Sequence, residues 1–282
     1  MKKLKIGILF GGKSAEHEVS LQSARSIVQA LDKKKYDPVL IGIDKGGRWF
    51  LPDKKVFLSE KSPKFLPSGA GGEDTALLLG DTNQKKSATK VDVVFPVLHG
   101  TYGEDGTVQG LLELAGVPYV GAGVLGSALG MDKDFMKRVL REAELPIGKF
   151  LVFRRGEKIQ FKKIKQELGL PVFIKPANMG SSVGIGKARD EKEFHEAVKD
   201  AFQYDQKIIV EQFIKGREIE CSVLGNEKPR ASLPGEVIPK HDFYSYEAKY
   251  LDENGAVLKI PADLPKPIIK KIQNLAVETF KV

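Results

Sequence analysis

The chain has 282 residues, 41% of them hydrophobic and 29% charged, a balance that excludes a disordered chain and leaves room for two domains. Lys+Arg number 45 against 37 Asp+Glu, a net charge of +8. The lysines are scattered, and runs such as Lys33-Lys34-Lys35 and Lys162-Lys163 lack interleaved aromatics, so solvated helix faces explain them better than a nucleic-acid groove. The single cysteine, Cys221, excludes an intrachain disulfide. It stands in an alternating apolar run and reads as a small buried strand residue.

The opening MKKLKIGILF has a charged start, but its apolar run covers only Ile6 to Phe10, too short for a signal peptide. No stretch approaches ~18 apolar residues, so no helical membrane span is expected and a cytoplasmic protein follows.

Lys5 to Phe10 reads as a buried strand, Glu16 to Leu31 as a helix and Asp37 to Ile43 as a second strand. Ser59 to Ser87 is rich in Pro, Gly and Ser; it predicts loop, with a short strand or hairpin at Ala76 to Leu79. Val91 to Leu98 is a third strand, Gly106 to Ala115 a helix and Pro118 to Val120 a short strand. This βαβ rhythm predicts a Rossmann-like parallel sheet with helices on its faces. The chain turns to glycine and alanine over Gly121 to Gly130, and a domain boundary is placed near residue 130. Beyond it come a helix (Asp132 to Glu142) and strands at Phe150 to Phe153, Pro171 to Lys175, Ile208 to Phe213 and Glu218 to Leu224. Helices at Phe161 to Leu168 and Glu191 to Ala201 fall between them.

Four segments carry candidate chemistry. Gly7 to Ser14 fits the P-loop pattern G-x-x-x-x-G-K-S. In a P-loop the four intervening residues wrap a phosphate, whereas here Ile8, Leu9 and Phe10 are strand core. The better reading is a strand–turn–helix junction: Gly11-Gly12 turns, Ser14 caps and Glu16 stands in the first helical turn. A carboxylate beside a helix N-terminus, at the carboxyl end of a parallel strand, suits an amino acid. His99, in the run from Leu98 to Gly106, ends another strand of that sheet among three glycines. Lys175 ends a strand and is followed by a Gly/Ser loop, 178–184, able to cover a triphosphate. Glu211 and Glu218 flank a connector where carboxylates could accept from ribose hydroxyls.

Together these segments resemble the D-alanine–D-alanine ligase family of the ATP-grasp superfamily. The matching stretches are GGKSAEHEVSLQSA (11–24), HGTYGEDGTVQGLLELAGVPYVGAGVLGSALGMDK (99–133), PVFIKPANMGSSVG (171–184), IVEQFIKGREIE (209–220) and FYSYEAKY (243–250). The resemblance implies a Rossmann-like substrate domain over residues 1–130 and an ATP-grasp domain over 131–282. It implies ligation of two D-alanines through an acyl phosphate, for peptidoglycan precursor synthesis. Glu16, assisted by His99, would hold the first D-alanine's ammonium. Lys133 and Lys175 would contact ATP phosphates under a loop carrying Ser181 and Ser182. Glu211 would lie by adenine and Glu218 on the ribose. Lys249 and Tyr250 would come from a lid, with Tyr250 linked through Ser181 to Glu16; its EAKY sequence looks like the dipeptide-forming type rather than the D-lactate-preferring one.

The same resemblance implies ATP and Mg2+ (or Mn2+), a homodimer, and neither nucleic acid nor membrane as partner. The family's metal ligands and a further arginine would lie in roughly 60 residues beyond Val282. No metal ligands are therefore expected within this chain, which alone is expected to be an impaired ligase. Three rivals stay open: a P-loop NTPase, another ATP-grasp carboxylate–amine ligase, and a non-catalytic remnant that binds amino acid or nucleotide.

Overall fold

The computed structural model of the chain describes residues 2–59, 91–240 and 255–282. Ala76 to Leu79, Lys249 and Tyr250 lie outside the described residues. The chain divides into two compact units, Met1–Met131 and Asp132–Val282.

The first unit begins with strand β1 (Leu4–Gly11), helix α1 (His17–Ala30), β2 (Tyr36–Ile43), β3 (Trp49–Phe50) and α2 (Lys54–Ser59). It continues with β4 (Val93–Pro96), α3 (Thr107–Leu114) and α4 (Val124–Met131). The sheet order is β3-β2-β1-β4, with β1 parallel to both neighbours and β3 antiparallel to β2. β1 is apolar on both faces because both are covered. Ile6, Ile8 and Phe10 pack with Leu21, Ala24 and Val28 of α1 and with Phe57 of α2. Leu9 faces the other way, with Ile41, Ile43 and Val94, against Val108 and Leu112 of α3. The parallel sheet is the one the βαβ rhythm predicts. The short strand predicted at Pro118 to Val120 is only a single parallel bridge, Val94 to Tyr119. α4 has no counterpart in the sequence reading, which saw only Gly and Ala. It forms around one buried residue, Ser127, whose N–H and Oγ bond back to the carbonyls of Gly123 and Ala122.

The second unit starts with α5 (Lys133–Glu142), β5 (Phe150–Arg154), α6 (Phe161–Leu168), β6 (Val172–Pro176), β7 (Gly186–Ala188), α7 (Glu191–Tyr204) and β8 (Lys207–Gln212). These strands form an antiparallel sheet in the order β5-β8-β6-β7. Alternation along the strands separates two faces. Val172, Ile174, Ile208 and Val210 pack with Ile164 of α6 and with Phe194 and Ala201 of α7. The opposite face carries Phe173, Lys175, Lys207, Ile209 and Glu211, with Lys175 opposite Ile209 and Phe173 opposite Glu211. Side chains of α5 meet this charged face.

The chain continues through β9 (Glu218–Glu220), β10 (Val223–Leu224), β11 (Arg230–Ala231), β12 (Gly235–Pro239), β13 (Ala256–Lys259) and helix α8 (Lys266–Lys281). The single strand expected over Glu218 to Leu224 is broken in two. β9 pairs with β12 while β10 pairs with β11, so the chain changes partners at Cys221-Ser222. That break also corrects the reading of Cys221 as a buried residue: it is partly exposed, with its Sγ near Ser232. Among the described residues no helix is long and apolar enough to cross a membrane.

Candidate active site

In the first unit the order β2-β1-β4 makes β1 and β4 the point where the chain reverses its direction of growth across the sheet. Ligands of open α/β sheets bind at the carboxyl ends of the strands at such a point. Those ends are stitched together by serines of the turn and of α1. Ser20 Oγ donates to the carbonyl of Val97 and accepts from the N–H of Gly11 (2.8 Å). Ser14 Oγ donates to the carbonyl of His99 (2.6 Å) and accepts from the N–H of Glu16 (3.2 Å). The strand-to-helix turn after β1 is thus bolted to the loop after β4, and Glu16 is held at the start of α1. The Glu16 side chain lies against Gly100: a methyl group built on Gly100 would come within 2.6 Å of Glu16 Oε2. His99 Nε2 meets Ser23 Oγ at 3.2 Å. Glu16 and His99, which the sequence places in one crevice, are linked through Ser14 and through Gly100.

A second histidine, His17, is buried and orders the turn. Its Nδ1 lies 2.7 Å from the carbonyl of Gly12, an acceptor only, so Nδ1 carries the proton. A cavity of about 580 Å³ opens beside the turn, lined by Ser14, His99, Trp49, Leu98, Leu111 and Leu114 among others. Glu16 is not part of its wall. The lining is mostly apolar, which suits a zwitterion poorly, so the polar constellation rather than the cavity is the amino-acid candidate.

The P-loop resemblance does not survive the geometry. Gly7 lies inside β1, and Ile8, Leu9 and Phe10 are at most 1% exposed, so their backbone cannot wrap a phosphate. Lys13 is exposed, with its ammonium 5.4 Å from the ring centroid of Tyr102. Lys13→Ala is expected to leave nucleotide affinity unchanged within about twofold, the scale of a surface substitution. A loss of tenfold or more in ADP titration would restore the P-loop reading.

In the second unit, α5 begins at the N-cap Asp132, whose carboxylate accepts from the N–H groups of Asp134 and Phe135. Lys133 and Lys137 are i, i+4 neighbours on this helix and share a side. Lys137 Nζ reaches Glu211 Oε1 at 2.8 Å, and Lys175 Nζ reaches Glu211 Oε2 at 2.7 Å. Burial works against the charge on Glu211, yet the two lysines overcome it and hold the carboxyl below its ordinary range. Lys133 Nζ donates to the carbonyls of Ala177 (3.3 Å) and Met179 (2.5 Å), at the root of the Gly/Ser loop. Burial first, and then the ammonium of Lys175, push Lys133 down to about 8.

Two ammonium groups grip the Glu211 carboxylate, and Lys133 lies near enough to interact with both Lys175 and Glu211, a gathering of cations suited to a polyphosphate. Ser181 and Ser182 both adopt positive φ, 45° and 64°, a conformation that costs L-residues roughly 1–2 kcal/mol each. Such strain gathers where a loop is shaped for a ligand. The structure thus brings Lys133, Lys175 and Glu211 together, with Lys133 bonded to the root of the loop that carries Ser181 and Ser182. Glu218 is exposed on β9, in a different sheet from the one that carries Lys175 and Glu211. The sequence reading missed Lys137, whose spacing from Lys133 was the available signal. It also missed Ser14's link to His99, which joins residues 85 apart.

Residues 5–122 match the family described as D-ala D-ala ligase N-terminus, and residues 139–282 match D-ala D-ala ligase C-terminus. The chain belongs to the D-alanine–D-alanine ligase family. Among relatives of this ligase family, a D-alanine–D-alanine ligase of Oceanobacillus iheyensis is 54% identical; the alignment covers 100% of this chain and 79% of the relative. The D-alanine–D-alanine ligase structure from Coxiella burnetii matches with a TM-score of 0.87 at 40% identity, over 100% of this chain and 77% of that one. A D-Ala:D-Ser ligase structure from Enterococcus faecalis matches with a TM-score of 0.83 at 35% identity, over 99% and 82%. The ligase fold is therefore shared by enzymes named for different second substrates.

Proposed function

We propose that this chain catalyses the ATP-dependent joining of two D-alanines, in the cytoplasm and as a homodimer, for peptidoglycan precursor synthesis. Membership of the ligase family supports the reaction. The observation that carries the assignment of roles is the cluster of Lys133, Lys137 and Lys175 around Glu211. In this reading residues 1–130 hold the first amino acid and residues 131–282 hold the nucleotide. Glu16 takes the ammonium, with His99 beside it. Lys133 and Lys175 take the phosphates, Ser181 and Ser182 cover them, Glu211 lies by adenine and Glu218 meets the ribose.

The first D-alanine's carboxylate attacks the γ-phosphorus; an acyl phosphate forms and ADP leaves. The second D-alanine's amine then attacks the acyl carbon, loses a proton and expels phosphate through a tetrahedral intermediate. Lys133 and Lys175 neutralise the charge of the transferring phosphoryl group, for which positioned cations are the main protein contribution. Lys249 and Tyr250 exclude water from the acyl phosphate. Ligases of this family use a divalent cation in general. Among the described residues no group of three or more His, Cys, Asp or Glu could hold one.

The test is phosphate release from ATP with D-alanine, set beside L-alanine, D-lactate and D-serine as second substrates. Release should depend on D-alanine and be weakest with L-alanine. Equal rates with L-alanine would remove the D-alanine assignment. ADP binding without turnover on any of the four would point to a binding protein.

A further inference from the structure

Below the lysine cluster lies a second group of charges with no part in the steps above. Lys207, the first residue of the central strand β8, is only 6% exposed. Its ammonium donates to both carboxylate oxygens of Asp132, at 2.8 and 2.7 Å, and to Asp134 Oδ2 at 3.3 Å. It also sits 4.5 Å from the ring centroid of Phe135. Asp134 is 4% exposed and its other oxygen takes the Nε of Arg138 at 2.6 Å. The four charges sum to zero.

Stability alone does not explain such a group. Desolvating several ions at once is so costly that apolar replacements of equal volume are often as stable or more so. What the cluster does supply is a fixed place for the residue between its two carboxylates, which is Lys133. Asp132 grips Lys207 while capping α5, so the first turn of that helix is pinned to the middle of the sheet. The backbone of Lys207 completes the clamp. Its carbonyl accepts from the N–H of Ala177 (2.9 Å), while the carbonyl of Ala177 accepts from the N–H of Lys133 (3.0 Å). One residue thus ties α5 through its side chain and the root of the Gly/Ser loop through its main chain. Asp205 reinforces that root, accepting from Lys207 N–H and from both nitrogens of Asn178.

We propose that Lys207 is a positioning residue for nucleotide binding, which sets Lys133 against the phosphate-covering loop through Asp132 and Asp134. The proposal rests on the nucleotide reading of the second unit. Without Lys207 the buried Asp134 and the half-buried Asp132 repel one another, and the helix start that carries Lys133 is free to shift.

The test measures ADP affinity by calorimetry on the full chain, and the KM for ATP beside kcat. Lys207→Met should weaken ADP about tenfold and raise the KM for ATP similarly, the scale of a misplaced charged contact, while the KM for D-alanine stays unchanged. Lys207→Arg, which keeps the charge, should recover most of that loss. In a Lys133→Met background, Lys207→Met should change ADP affinity less than about twofold, because coupled residues are non-additive. If Lys207→Met alone fails to fold, the charge-stripped combination Lys207→Met, Asp132→Asn and Asp134→Asn replaces it; Asn keeps the helix cap, and the same tenfold loss is expected. Equal losses in the wild-type and Lys133→Met backgrounds would make Lys207 merely structural and overturn the proposal. If Lys133→Met itself left ADP binding intact, the nucleotide reading would fall, and the proposal with it.

Discussion

Replacing Gly100 with alanine should reduce kcat/KM for D-alanine about 100-fold, the scale of a displacement approaching 1 Å in a substrate-holding group. Gly100 has φ +71°, and the added methyl would stand 2.6 Å from Glu16 Oε2 and 3.5 Å from Ser14 Cβ. Two costs therefore arise together. The left-handed backbone strains any L-residue by about 1–2 kcal/mol, and the methyl pushes the carboxylate off its position. Gly116 separates them. It has φ +62° with nothing within 4 Å of the built methyl, so Gly116→Ala should lose similar stability and keep its activity. Thermal unfolding and D-alanine kinetics on both variants decide the matter. Equal activity loss in the two would mean that strain, not the displacement of Glu16, is responsible.

Nucleotide affinity should fall about tenfold between pH 7 and pH 9, the span over which a lysine titrating near 8 gives up its charge. Burial and the neighbouring Lys175 lower Lys133 from 10.5 to about 8. A bound polyphosphate favours the charged form and pulls it back up, so ADP binding at pH 9 should take up a proton. Calorimetry in buffers of different ionisation enthalpy measures that uptake. Lys133→Arg, charged throughout, should flatten the dependence, and an unchanged slope in that variant would assign the titration to another group. Stability moves in the opposite direction. Between pH 8 and 10.5 the unfolded chain holds a proton that the folded chain has lost, so this residue's contribution rises with pH across that window. Below pH 8 both states carry the proton, and the fold bears a cost of at most about 3 kcal/mol. Lys133→Met should remove that cost while losing nucleotide, the expected exchange of stability for function.

The parallel sheet was legible because βαβ alternation leaves few ways to bury both faces of β1. Lys175 stood out because a strand ending in a lysine before a Gly/Ser run has few structural uses. Lys207 did not. A linear pattern assigns lysines to solvent, and nothing in KIIVEQ says that its first residue faces two aspartates 73 and 75 positions earlier. Lys137 was legible only through its spacing from Lys133; its partner Glu211, on a distant strand, was not. Cys221 was misplaced because alternation over Ile219 to Leu224 resembles one strand, whereas hydrogen bonding divides it between two sheets.

The bond from Ser14 to the carbonyl of His99 closes a loop of 85 residues. The entropy of closing a flexible loop grows only with the logarithm of its length, so even doubling that span would cost about 0.6 kcal/mol. Insertions between α2 and β4 are therefore cheap at equilibrium. Their effect falls on the rate of folding, because β1 and β4 can pair only after this long excursion has been searched. The amino-acid constellation tolerates changes in chain length that it would not tolerate in a single methyl group at Gly100.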